Sequence, residues 1–204
     1  MKRLYPILFV LLSFSCYSQN SKSRIFNSNE IQFYGYDFSH FKLAEAKRVN
    51  NGYQIKGFIF PWIGWMDENY PYTKMSENMG VKIIQNYEPT SDLNLNVDSK
   101  NVVSIQEHKI PYDTIVSIIN NYKLSEKTGI GFVAIIECFY KATETASVHY
   151  VFFDIKTREI LDSHRFISNK AGGFGLTSFW GYNLYVNMKK YIKKYYLVEK
   201  KKYI

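Results

Sequence analysis

The sequence predicts an α/β sandwich, in which a mixed, largely antiparallel sheet of about five strands has helices packed on one face. Two observations support this fold class. Apolar runs rich in β-branched and aromatic residues recur along the chain, and three of them follow one another between residues 131 and 167. Between and after these runs, apolar residues recur at helical spacing, and helices that cover a sheet make a layered α+β domain.

The first half of the predicted domain alternates strands with helices. Residues 31–36 (IQFYGY) alternate as a strand does. The segment PYTKMSENMG starts at Pro71 and ends at Gly80, which indicates a helix with a glycine C-cap. VKIIQNYE then predicts a strand, and NVVSIQ a short one. Pro111 opens a helix whose apolar residues recur at i, i+3, i+4 and i+7: Ile115, Ile118, Ile119 and Tyr122.

The second half predicts three successive strands and a long helix. GFVAIIECFY is apolar at nearly every position, as a central strand should be. SVHYVFFDI and REILDSHRFI flank Lys156 and Thr157, which we expect to form a tight hairpin. The helix runs from about Ser178 to Tyr196, after a glycine-rich loop.

The ends of the chain predict export rather than membrane insertion. Lys2 and Arg3 precede an apolar run of 11 residues and then small residues, which is typical of a secretory signal at 1–18. A membrane-spanning helix needs about 20 residues. We expect a flexible leader at 19–30, one domain at 31–196, a basic tail at 197–204 and a periplasmic or secreted location. Lipidation at Cys16, with an outer-membrane anchor, is the alternative.

The net charge of +8 is concentrated at the C-terminus. Seven lysines and one glutamate lie between residues 189 and 202, and the rest of the mature chain is close to neutral. This pattern argues against nucleic-acid binding. It fits either a cationic last helical turn or attraction to an anionic membrane surface. The lysines are Lys189, Lys190, Lys193, Lys194, Lys200, Lys201 and Lys202.

The order of elements resembles the N-terminal domain of TolB and envelope lipoproteins of the curli-secretion (CsgG) and penicillin-binding-protein-activator (LpoB) kind. The resemblance lies mainly in residues 129–167. There YVFFDIKTREILDSHRF is similar to a hairpin with Asp-x-x-Thr-Gly-Glu between two strands. Asp154, Thr157 and Glu159 match, and Arg158 stands where the pattern has glycine. The resemblance implies a non-catalytic envelope accessory domain that binds other proteins.

The loop KAGGFGLTSFWGYN invites comparison with phosphate-binding motifs. It lacks the lysine of a Walker A loop and the following acid of a dinucleotide fingerprint. The simplest interpretation is a turn into a helix capped by Thr177 or Ser178. Anion binding at the helix start and an exposed aromatic contact loop are the alternatives. No cofactor is predicted.

A patch of histidines and acids supports a second hypothesis. If Lys156 and Thr157 form one hairpin loop, and the preceding hairpin turns near Ala142 to Ala146, four side chains share one sheet face in neighbouring rows. Such a set could hold Zn²⁺ in a metal-binding protein or a metal-dependent hydrolase. A shift of one residue would scatter the set. Its members are Glu137, His149, Asp162 and His164.

Aromatic residues support the leading hypothesis, a non-catalytic binding or accessory module of the bacterial cell envelope. In FIFPWIGWM, the tryptophans form either the buried face of a short helix or an exposed anchor for an envelope protein. No catalytic residue is predicted, and we expect Cys138 to be a buried apolar residue. The predicted contact residues are Trp62, Trp65, Phe174, Phe179 and Trp180.

Overall fold

The computed structural model describes residues 21–44, 51–168 and 172–203. Its centre is a seven-stranded sheet. The strands are β1 (Glu30–Asp37), β2 (Lys42–Ala44), β3 (Lys82–Gln85), β4 (Val103–Ser104), β5 (Ile130–Tyr140), β6 (Thr145–Asp154) and β7 (Ile160–Ile167). The helices are α1 (residues 21–26), α2 (Gly52–Gly57), α3 (Ile59–Asn69), α4 (Tyr72–Met79), α5 (Glu88–Leu95), α6 (Tyr112–Asn121), α7 (Leu176–Tyr191), a π-helical turn (Ile192–Tyr196) and α8 (Leu197–Lys200).

The sheet is parallel on one side of β5 and antiparallel on the other. Both β1 and β2 pair in parallel with β5, one along each half of its length. Their own outer neighbours, β3 and β4, are parallel to them as well. Among the strand pairs that the structure describes, only β5–β6 and β6–β7 are antiparallel, so the prediction of a largely antiparallel sheet is wrong. The helical crossovers in the first half return the chain in the same direction, which makes those strands parallel.

Helices cover both faces of the sheet, so the prediction of helices on one face is also wrong. The larger core places Phe33 and Phe132 of the sheet beneath α3 and α7. A smaller core on the opposite face packs Ile115 and Ile119 of α6 against Val133 of β5. Because β5 is buried along its whole length, apolar side chains on both of its faces need a cover.

The N-terminal and C-terminal segments of the described chain are packed together. In the segment predicted as a flexible leader, Ile25 and Phe26 of α1 are buried in the larger core. The ring of Phe26 lies 5.3 Å from that of Tyr196 and 5.2 Å from that of Tyr203. The region predicted as a basic tail thus contains α8 and helps to bury α1. The predicted signal at 1–18 lies outside the described residues.

The turn between β6 and β7 is longer than predicted. It spans residues 155–159 instead of the dipeptide Lys156-Thr157. Asp154 Oδ1 accepts hydrogen bonds from the Thr157 amide (2.7 Å) and hydroxyl (3.0 Å). Arg158 adopts the left-handed conformation with φ 64°. The pairing then shifts between Phe152 and Phe153, which changes the face on which the β7 side chains lie.

Candidate functional site

The glycine-rich loop enters α7 without a side-chain cap. Gly175 is the N-cap residue with φ 80°, a left-handed conformation that favours glycine. The predicted capping by Thr177 or Ser178 is therefore wrong. The Ser178 hydroxyl instead donates to the Phe174 carbonyl, which closes the loop onto the first turn of the helix.

A cavity of about 310 Å³ opens between this loop and the β5–β6 turn. Its walls are largely apolar, with one basic and one acidic residue from the β5–β6 turn. We name it the glycine-loop cavity. It is lined by Lys141, Glu144, Gly173, Gly175, Leu176, Phe179 and Trp180.

Aromatic packing makes one wall of this cavity rigid. The Trp180 ring stacks on Phe139 of β5 with centroids 4.4 Å apart, and the Phe179 ring meets it edge-on at 4.9 Å. A Cβ atom on Gly173 would lie only 2.8 Å from Phe179 Cα, so the close approach of the loop requires glycine there. The Trp62 indole donates to the Leu176 carbonyl over 3.0 Å and holds the first residue of α7 in place.

The aromatic residues predicted to make contacts differ widely in exposure. Phe174 is 99% exposed, and both glycines beside it line the cavity. By contrast, Trp62 is fully buried and belongs to the core. For this residue, the interpretation as the buried face of a short helix is confirmed. The Trp65 ring is half-buried against α7, where a Cβ on Gly181 would lie 2.7 Å from it. Phe179 and Trp180 line the cavity. Sequence reasoning did not identify Lys141, Glu144 or Leu176.

The predicted histidine–acid set is split between the two faces of the sheet. His149 Nε2 lies 3.0 Å from Glu137 Oε1, so these two side chains do meet. Asp162 and His164 pair with Phe152 and Tyr150, and they lie on the opposite face. The longer turn causes this separation, because it brings Arg165 instead of His164 opposite His149. Within the described ranges, no three histidine, cysteine, aspartate or glutamate side chains come together as a metal site.

Glu137 is a fully buried carboxylate with donors on several sides. Arg165 Nε donates to Oε2 over 2.7 Å, and the Ile110 amide donates to Oε1 over 2.9 Å. Burial alone would raise the pKa of Glu137, but hydrogen bonds from His149 and Arg165 outweigh it and lower the pKa to about 2. A carboxylate this acidic and this well bonded is a poor general base. Arg165 was missed because it belongs to this face only in the observed register.

On the opposite face, Asp162 and His164 help to hold the two ends of the chain. The Tyr195 hydroxyl donates to Asp162 Oδ1 over 3.1 Å, and Lys22 Nζ lies 3.4 Å from the same oxygen. The His164 ring stacks on Tyr195 with centroids 3.7 Å apart. Burial raises the pKa of Asp162 and lowers that of His164. This cluster joins α1, β7 and the π-helical turn.

Near the C-terminus, Lys200 and Lys202 make intramolecular contacts that the sequence does not reveal. Lys200 Nζ donates to the Met79 and Gly80 carbonyls at the end of α4, over 3.0 and 2.8 Å. Lys202 pairs with Glu199 one turn earlier. In the parts of the chain that the structure describes, no helix has the length and apolarity that crossing a membrane requires.

The cysteine within the described residues offers no reactive thiol at neutral pH. Cys138 is buried in β5, and burial raises the pKa of its thiol to about 11. It is therefore protonated at neutral pH. Cys16, the predicted lipidation residue, lies outside the described residues.

Comparison with known proteins finds no matching family model, no similar curated protein and no similar solved structure.

Proposed function

We propose that this chain is a non-catalytic binding module of the bacterial cell envelope, and that it holds a protein partner at the glycine-loop cavity. The observation that carries the proposal is the exposure of Phe174, which stands 99% exposed between two glycines that line an apolar cavity. Burying a phenylalanine stabilises a complex by about 1.5–3 kcal/mol. Aromatic residues of this kind are the usual anchors at the centre of protein interfaces.

The surroundings of Phe174 support a preformed binding surface. Trp180 is stacked on the sheet, and Trp62 fixes the first residue of α7 through its indole N–H. A surface whose wall is already ordered loses less conformational entropy on association. Gly173 lets the loop approach α7 closely, and the positive φ of Gly175 turns the chain into the helix, while Phe174 is presented outward.

The lining of the cavity indicates what the partner supplies. At about 310 Å³, the cavity lies at the lower end of the range of ligand pockets, which suits one large apolar side chain. Lys141 and Glu144 at the β5–β6 turn offer charges of both signs to polar groups around that side chain. The partner thus presents an apolar anchor with a mixed polar rim, while Phe174 inserts into the partner.

The envelope location is supported by the sequence of residues 1–18, with its basic start, short apolar run and small residues. The non-catalytic assignment is supported by the state of two buried groups, the Glu137 carboxylate and the Cys138 thiol. Glu137 is fully occupied by its donors, and the Cys138 thiol is protonated at neutral pH.

The test is site-specific photo-cross-linking in cells with the full-length chain. A benzophenone amino acid at position 174 is expected to capture one envelope protein in stoichiometric amounts. The matched control carries the same probe at Ile105, which is 83% exposed and is not part of the cavity lining. Capture at both positions to the same extent, or at neither, would overturn the proposal.

A substitution gives an independent check of the same surface. Phe174→Ala should abolish capture of the partner in pull-downs and leave the unfolding transition unchanged, because the side chain makes no buried contact. Ile105→Ala should change neither. Trp62→Ala is unsuitable, because the loss of binding would follow from damage to the core.

A further inference from the structure

A second cavity lies near the C-terminal end of α7. It has a volume of about 310 Å³ and is enclosed by the ends of α3 and α4, the π-helical turn and α8. We name it the lysine cavity. Its lining is largely apolar, with two lysines and no carboxylate: Tyr70, Asn78, Lys189, Ile192, Lys193 and Leu197.

The polar atoms on one wall of the lysine cavity are already bonded to each other. Asn78 Nδ2 donates to the Tyr70 hydroxyl over 2.8 Å. Ile192 is buried and Leu197 half-buried. The interior thus offers apolar surface, while the unneutralised charge belongs to the two exposed lysines.

The lysines stand where an anionic headgroup would meet the cavity. The Lys189 ammonium lies 4.9 Å from the centre of the Tyr185 ring and donates to the Tyr185 hydroxyl over 3.0 Å. These contacts hold the ammonium on the side of α7 that faces the lysine cavity. Lys193 is one turn further along the helix. It belongs to the π-helical turn, a rare geometry that is frequent at functional sites.

Aromatic rings extend from the lysine cavity along the exposed side of α7. The Tyr185 ring lies 5.7 Å from Tyr70 of the cavity and 5.7 Å from Tyr182, which is 39% exposed. The half-buried Trp65 ring meets both α7 tyrosines edge-on at 6.3 Å. Tryptophan, tyrosine and lysine side by side are typical of surfaces that lie at a membrane interface.

From the apolar lining, the lysines and this aromatic row, we infer that the lysine cavity binds an anionic membrane lipid. One acyl chain enters between α4 and the π-helical turn, and the headgroup phosphate is bound by Lys189 and Lys193. The volume equals that of about ten water molecules, which admits part of one chain and excludes a whole lipid. The lysine cavity is about 20 Å along α7 from the glycine-loop cavity. Lipid binding at the lysine cavity therefore does not depend on a protein partner at the glycine-loop cavity.

The test uses vesicles of phosphatidylcholine with and without phosphatidylglycerol, and the whole mature chain. Lys189→Gln with Lys193→Gln removes two charges at the cavity, and Lys190→Gln with Lys194→Gln removes two charges from the same helix elsewhere. Binding should require phosphatidylglycerol, and Lys189→Gln with Lys193→Gln should weaken it about 25-fold, because each lysine near the lipid contributes about fivefold. The control pair should weaken it less than about threefold, because only diffuse attraction is lost.

A third variant separates the cavity from charge alone. Leu197→Trp fills the lysine cavity without changing the net charge, and it should weaken vesicle binding at least about tenfold if a chain enters. Circular dichroism checks that this variant is folded; if it is not, the two lysine pairs decide the outcome. Equal losses for the two pairs would mean that the lysines attract the surface only diffusely, and that result would overturn the inference. So would undiminished binding by the cavity pair, or binding to pure phosphatidylcholine.

Discussion

The buried carboxylate of Glu137 should be a principal source of stability, and Glu137→Gln tests this. The substitution keeps the size of the side chain but removes its charge and turns one acceptor oxygen into an NH2 donor, so Arg165 and His149 can no longer both donate to it. Breaking a buried ion pair by removing one partner costs about 3–5 kcal/mol. Because the Arg165 side chain is 29% exposed and can be partly hydrated, we expect a loss of about 3 kcal/mol.

The pKa of Glu137 gives a second route to the same magnitude. The difference between about 2 in the folded chain and the usual 4.5 corresponds to about 3 kcal/mol at neutral pH. Since the folded-state pKa lies below the unfolded value, this stability is complete above about pH 4.5 and is lost as the pH falls towards 2. The difference in stability between wild type and Glu137→Gln should therefore shrink over this range.

Urea denaturation followed by circular dichroism, at several pH values between 7 and 3, measures both effects. Glu107→Gln is the control, because Glu107 also faces Arg165, at 4.0 Å, but its side chain is 53% exposed. We expect it to change stability by less than about 1 kcal/mol. A Glu137→Gln variant within about 0.5 kcal/mol of wild type at pH 7, or a difference that does not change with pH, would refute this account of Glu137.

Two further predictions concern helix packing and the N-terminal segment. Gly181→Ala should destabilise the domain by about 1–3 kcal/mol, because its Cβ would lie 2.7 Å from the Trp65 ring. Gly64→Ala in α3 is its control and should stabilise the domain by about 0.5–1 kcal/mol, since no atom lies within 4 Å of the new Cβ. In urea denaturation, the midpoints of the two variants should shift in opposite directions from that of wild type. Equal shifts would contradict the packing argument. A chain without residues 1–28 should be less stable than a chain without residues 1–20 by at least about 4 kcal/mol, because the buried side chains of Ile25 and Phe26 in α1 are lost. Thermal unfolding of the two truncated chains measures this, and similar transitions would mean that α1 contributes little.

Local sequence signals predicted individual helices well. Pro71 and Gly80 bracket α4 as the N-cap and the left-handed C-cap, the latter with φ 61°. The apolar spacing after Pro111 gives α6, with Ile115 and Ile118 among its buried residues. Each of these signals involves residues a few positions apart, whose geometry is determined within one or two helical turns.

The strand partners could not be predicted in the same way. The direction of β1 and β3 relative to β5 depends on crossovers of many residues, which leave no local pattern. The proposed metal site failed for a related reason. A turn of five residues instead of two, together with the shift after Phe152, moved His164 to the other face and put Arg165 beside Glu137. Hairpin register depends on turn length, and a shift of one residue exchanges the faces of a strand.

In the glycine-rich loop, amino-acid composition alone did not distinguish phosphate binding from a structural role of the glycines. Glycines near the start of a helix suggest phosphate binding, but two of these glycines accommodate aromatic packing. Gly173 lets the loop touch the backbone of Phe179, and Gly181 lets the Trp65 ring lie on α7. Phe174, between Gly173 and Gly175, is turned to solvent. The loop and the surrounding aromatic residues therefore act as one unit, in which a rigid buried layer supports a single exposed ring. This arrangement suits recognition of an apolar partner surface better than binding of an anion.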